Sequence, residues 1–123
     1  MIWTRLWFLV AWMLGVNALA TPTEATGREI EQLLALVAAL DGATFIRNGS
    51  EHTAEQAAAH LRLKRERQSG SIKSAEDFIE RCGTKSTASG ARYRMRFKDG
   101  VEKDSAEVLR QMLAEIRKGT PPP

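Results

Sequence analysis

The residues best able to do chemistry are concentrated in one polar segment, Arg47-Asn48-Gly49-Ser50-Glu51-His52, with His60 and Lys64 close behind it. A histidine beside a carboxylate has the parts of a general base, with Glu51 able to orient it. A hydroxyl nucleophile would have to come from Ser86 or Ser89 in the small-residue loop from Thr84 to Gly90. Lys85-Ser86-Thr87 matches no catalytic pattern, and nothing in the sequence sets a serine beside a histidine. A small hydrolase or transferase using His60 or His52 with the Ser86 or Ser89 hydroxyl is therefore the alternative and not the leading reading. In the plainer case Arg47 and His52 bond backbone groups and fix a turn, and His60 is a satisfied, half-buried helix residue.

Metal chemistry is poorly served. His52 and His60 are the only two histidines, and eight helical residues would separate them by about 12 Å. There is no His-x-x-x-His and no cysteine pair, so neither a metal nor a cofactor is expected. Anion binding has more to offer. Unpaired N–H groups at a helix start near Thr53 to Gln56 lie close in sequence to Arg47 and His52. Glu51 and Glu55 oppose an anion there, and Glu51 could instead satisfy Arg47.

A second feature is the run Arg92-Tyr93-Arg94-Met95-Arg96-Phe97-Lys98, which alternates with period two. It reads as a strand with Tyr93, Met95 and Phe97 inward and Arg92, Arg94, Arg96 and Lys98 outward. Such a basic face could meet lipid head groups or wall polymer, or simply guard a solvated sheet from aggregation.

The elements that must position these residues follow from spacing. Ile30, Leu33, Leu34, Val37 and Leu40 share one helical face, which predicts a helix over 24–40, with Thr26 and Glu29 at capping-box spacing and Asp41-Gly42 ending it. Thr44-Phe45-Ile46 suits a strand, and Asn48-Gly49 turns the chain. Thr53-x-x-Gln56 is a second capping box, opening a helix from Ala54 to about Gln68. Its basic end (Arg62, Lys64, Arg65, Arg67) complements the helix dipole. Ser74 caps a short helix with Ala75, Phe78, Ile79 and Cys82 on one face, and Gly83 ends it. Asp99-Gly100 signals a hairpin with a return strand at 101–103. Ser105 then caps a last helix with Val108, Leu109, Met112, Leu113 and Ile116 inward. The expected fold is α+β, with about four helices on a small antiparallel sheet of two to three strands.

The chain opens with Arg5, an apolar run from Leu6 to Val16, and Ala18-Leu19-Ala20, which are the three parts of a signal peptide. The apolar run is shorter than the roughly 20 residues a spanning helix needs. Residues 1–20 are therefore read as a signal peptide cleaved after Ala20, 21–118 as one domain and 119–123 as a frayed Pro-rich tail. All three tryptophans leave with the signal peptide. The formal charge of +3 says little about partners, and nucleic acid is not expected outside the cytoplasm. Cys82 is the single cysteine, so it reads as a buried small hydrophobe with no internal disulfide.

Phe45-Ile46-Arg47-Asn48-Gly49-Ser50-Glu51-His52-Thr53, Ala58, His60-Leu61-Arg62, Lys64, Ser74 to Ile79, Ser86, Ser89-Gly90 and Tyr93 together resemble the YfeK-like family of small exported bacterial proteins of unknown function. The resemblance covers 44–97. It implies a bacterial source, a periplasmic location and an apolar position at Cys82, and it supplies no activity or substrate. It further implies that Arg47, Asn48, Glu51, His52, His60, Lys64, Ser86, Ser89 and Tyr93 converge. The leading reading is a non-enzymatic periplasmic binding or interaction module, its partner an unknown protein or envelope component, with no stable membrane span after cleavage. The second alternative is a structural envelope protein touching anionic wall or lipid through Arg92–Lys98.

Overall fold

The structure is a computed structural model and describes residues 22–119. The signal-peptide reading, the Thr21 boundary and the tail beyond Gly119 lie outside those residues. The elements run α1 (Pro22–Ala38), β1 (Thr44–Arg47), β2 (Ser50–His52), α2 (Ala54–Arg67), a 3-10 turn (Ser69–Ser71), α3 (Ala75–Cys82), β3 (Arg94–Arg96), β4 (Glu102–Asp104) and α4 (Ser105–Lys118). The fold is α+β, with helices packed on a four-stranded antiparallel sheet of order β2-β1-β3-β4.

The additional strand is β2. Its residues, Ser50-Glu51-His52, include no apolar side chain that would mark a strand. The turn creates it. Asn48 and Gly49 both take positive φ, 51° and 77°, as the tight two-residue hairpin requires, so the chain must return along β1 with Arg47 opposite Ser50 and Phe45 opposite His52.

The core is drawn from every layer. Ile30, Leu33, Leu34 and Val37 of α1 meet Phe78, Ile79 and Cys82 of α3, Leu109 and Leu113 of α4, and Phe45 and Met95 of the sheet. Cys82 is fully buried, and burial pushes its thiol pKa up. The face that α2 buries is largely alanine (Ala54, Ala57, Ala58), with Leu61, and small side chains let a helix approach closely. Gly83 ends α3 at an ordinary φ of −105°. Glycine is favoured there by packing, since a Cβ would fall 2.5 Å from Leu109 Cδ1 and the leucine would have to move.

Two caps differ from expectation. α1 begins at Pro22, a favoured first helical residue, so Thr26 and Glu29 lie inside the helix. Asp104 is the N-cap of α4 and Ser105 its first helical residue. The Asp104 carboxylate makes no capping bond because Arg94 Nη1, at 2.6 Å, draws it to the sheet. The capping box of α2 forms as expected: Gln56 N–H donates to Thr53 Oγ1 at 3.1 Å and Thr53 N–H to Gln56 Oε1 at 2.9 Å. Ser74 caps α3 by accepting from Asp77 N–H at 3.0 Å. Among the described residues, no helix is long and apolar enough to cross a membrane.

Arg117, near the end of α4, ties three helices together. It donates to both carboxylate oxygens of Glu29 on α1 (2.9 and 3.1 Å) and of Glu76 on α3 (2.7 and 2.8 Å). The Arg117 bonds hold the Glu76 carboxyl down at about 2. Glu76 is largely exposed, so solvent screening keeps the contribution modest. Arg117→Ala is expected to cost about 1 kcal/mol at neutral pH. A depressed carboxylate stabilises above its unfolded pKa of 4.5 and loses that contribution as pH falls toward 2. The gap between wild type and variant in urea denaturation should therefore narrow across that acid range.

Candidate functional site

One end of the inner sheet face carries polar side chains. β1 buries Phe45 inward, and Arg47 two residues on points the same way at the strand end. β3 pairs with β1 through Phe45–Met95 and Ile46–Arg94, and one residue further this register sets Arg47 opposite Tyr93. α2 starts at Thr53, immediately after β2, and runs over this face. His60 and Lys64, four residues apart, share the helix face that carries Ala57 and Leu61. The hairpin and the capping box together bring Lys64 of the helix against Tyr93 at the edge of β3.

The Arg47 guanidinium Nη1 lies 2.8 Å from His60 Nδ1 and 3.1 Å from His60 Nε2. His60 Nε2 is 3.2 Å from Tyr93 Oη, and the two rings meet edge to face with centroids 5.9 Å apart. Lys64 Nζ donates to Tyr93 Oη at 3.1 Å and to the Lys85 carbonyl at 3.2 Å, and sits 5.0 Å from the Tyr93 ring centroid. The shorter Arg47 contact favours one His60 tautomer. A guanidinium only donates, so Nδ1, the nearer nitrogen, accepts, and the proton of neutral His60 sits on Nε2 and is donated to Tyr93 Oη. That oxygen then accepts from both Lys64 and His60, and its own O–H proton is free for a further partner.

Burial lowers the pKa of His60, and the positive charges of Arg47 and Lys64, then His52 and Arg67, lower it further. Lys64 is only 6% exposed. Among the described residues, neither Lys64 nor Arg47 forms an ion pair with a carboxylate.

Arg47, His60 and Tyr93 open onto a cavity of about 120 Å³ between α2, the sheet and the start of α4. His52, Gln56 and Ser105 add polar atoms to its wall, and Phe45, Ala57, Leu61 and Leu109 line the remainder. Of the same residues, His52 Nε2 and Ser105 Oγ are buried and have no hydrogen-bond partner among the described residues.

The remaining candidates go elsewhere. Asn48, Ser86 and Ser89 form a separate knot: Asn48 Nδ2 donates to Ser86 Oγ at 3.2 Å, Ser89 Oγ donates to Asn48 Oδ1, and Ser89 N–H contacts Ser86 Oγ at 3.4 Å. It ties the hairpin turn to the 84–91 loop. Neither serine hydroxyl bonds a histidine. Glu51 lies on the outer sheet face, where it accepts from Arg96 Nη2 at 2.9 Å. The basic residues are paired as well. Arg92 meets Asp104 at 3.3 Å, Arg94 meets Asp104 at 2.6 Å and Glu102 at 3.3 Å, and Lys98 meets Asp41 at 3.7 Å. Hydrogen bonds from Arg94 lower the Asp104 pKa, and the bond to Glu51 raises that of Arg96. The outer face is a lattice of alternating charge and not a free basic stripe. Sequence reasoning missed Ser105 as a cavity residue, having assigned its hydroxyl to a cap. Only the packing of α4 against the sheet reveals it.

The profile of DUF5329, described as a family of unknown function, matches residues 24–117. The chain is 34% identical over 85 residues to a protein of Salmonella typhimurium called uncharacterized protein YfeK, an alignment covering 69% of this chain and 71% of that protein. No solved structure matches it significantly.

The His60 environment sets a pH dependence. The folded histidine takes a proton only below its ordinary 6.5, so over the intervening range the unfolded chain binds a proton that the folded one does not. Stability from this group is full above 6.5 and falls as pH drops through the depressed value. Urea denaturation on either side of 6.5 should show that loss. His60→Gln, whose amide can both accept from Arg47 and donate to Tyr93, should flatten it.

Proposed function

Proceeding from the fact that the chain belongs to the DUF5329 family, whose function is unknown, we propose that it is an exported, non-enzymatic binding module whose contact site is the cavity beneath α2. Export is supported by residues 1–20: a single Arg5, the apolar run to Val16 and the Ala18-Leu19-Ala20 ending. Cleavage after Ala20 releases the domain into the periplasm.

The binding reading is carried by the cavity wall. Arg47, with no carboxylate partner among the described residues, lines the cavity together with His52 and Ser105, which each carry a buried polar atom, Nε2 and Oγ, with no hydrogen-bond partner there. An unpaired buried polar group costs roughly 1–3 kcal/mol, so a small shift of this wall that lets a bound molecule supply the missing hydrogen bonds is favoured. Catalysis by a serine has no comparable support, because the Ser86 and Ser89 hydroxyls are engaged with Asn48. Anchoring to anionic wall or lipid through Arg92–Lys98 is disfavoured by the carboxylate paired with each cation.

Two measurements test this. N-terminal sequencing of the periplasmic fraction should begin at Thr21, and recovery of uncleaved chain in the membrane would contradict export with cleavage. Saturation-transfer NMR against small carboxylates, phosphates, amides and sugars should find at least one class that binds wild type and is lost in Ala57→Leu, which fills the cavity from α2. Silence from every class, or binding indifferent to Ala57→Leu, would overturn the binding reading.

A further inference from the structure

Resting on that reading of the cavity, we propose that its ligand is a small carboxylate with a short aliphatic body. The polar wall is built almost wholly of donors. Arg47 commits one N–H to His60 and keeps four others. Tyr93 Oη, accepting from Lys64 and His60, has its O–H proton to give. Ser105 Oγ, on a residue only 4% exposed, has no partner. The Gln56 carbonyl is committed to the Thr53 N–H, so its NH₂ end is what it offers. The roles of the His52 and His60 ring nitrogens depend on tautomer. A donor wall of this kind selects an oxygen anion over an amine or an ether.

Charge points the same way. Lys64, directly behind Tyr93, adds a second cation without a carboxylate. The carboxylates that could compete are turned away: Glu51 to Arg96, and Asp104 and Glu102 to Arg94. A planar guanidinium with free N–H groups matches a carboxylate in two-point contact.

Size and lining set the rest of the molecule. About 120 Å³ is somewhat less than the roughly 150 Å³ cavity that admits benzene, which leaves room for a carboxylate and a few carbons. Those carbons would lie against Phe45, Leu61 and Leu109. A bare inorganic phosphate would leave that apolar wall uncovered, and a phosphorylated sugar would overfill the space.

The test compares sodium butyrate, its neutral isostere butyramide and inorganic phosphate by calorimetry and by NMR of the two histidine rings. Butyrate should bind at least tenfold tighter than butyramide and phosphate and should shift the His52 and His60 ring signals. Arg47→Met should weaken butyrate at least tenfold. Ser105→Ala, a smaller change that keeps the charge, should weaken it severalfold, while Lys98→Met on the outer face should not alter it. Butyramide binding as tightly as butyrate would overturn the carboxylate assignment and leave the cavity a ligand site. Phosphate binding in preference would do the same. If none of the three binds while another class from the NMR panel does, the assignment fails alone. If nothing binds at all, the binding reading fails with it.

Discussion

The contact between Arg47 and His60 spans the gap between sheet and helix, and the arrangement of the polar site follows from it. Arg47 can reach His60 only because a two-residue turn with positive φ at Asn48 and Gly49 fixes the end of β1. A capping box then starts α2 one residue after β2, and that helix packs chiefly against α1 while touching β1. The arginine in turn favours the histidine tautomer that directs Nε2–H to Tyr93. Tyr93 shares its oxygen with Lys64, and Lys64 holds the Lys85 carbonyl beside the serine loop. One contact thereby orders five residues from four parts of the chain.

The distribution of charge is lopsided, and the lopsidedness carries information. On the outer sheet face the arginines are matched with Glu51, Glu102 and Asp104, and across the helices Arg117 is matched with Glu29 and Glu76. Inside, Arg47 and Lys64 stand near a half-buried histidine, with no carboxylate among the described residues bonded to either. Burying charge without a counter-ion is costly, and a fold selected for stability alone would place an acid or an apolar residue there. The apolar core of α1, α3 and α4 supplies the stability that tolerates the site.

Much of the fold was legible because periodicity and caps are local signals. The helical face of Ile30, Leu33, Leu34 and Val37, the Thr53–Gln56 box and the alternation around Met95 all formed as read. The strand β2 was not legible, because turn geometry imposes it on residues without strand character. The ends were read imperfectly for a related reason. The Asp104 carboxylate is drawn to Arg94 across the sheet, and no local pattern records that pull. Within the candidate site, Arg47, His60, Lys64 and Tyr93 meet directly, while Asn48, Ser86 and Ser89 form a neighbouring knot. Glu51 was separated from its segment because alternate strand residues face opposite ways. The pairing of Arg92, Arg94 and Arg96 required knowing which acids stand on the adjacent strands.

The most direct measurement is thermal unfolding of wild type beside Arg47→Met and Ser105→Ala. If these groups are present for a ligand, the His60 hydrogen bond that Arg47→Met gives up is offset by removal of a cation with no carboxylate partner among the described residues, and both variants should melt within about a degree of the wild-type temperature or above it. A fall of several degrees in both would mean that the polar wall holds the fold together, and the cavity would then be a structural feature and not a binding site.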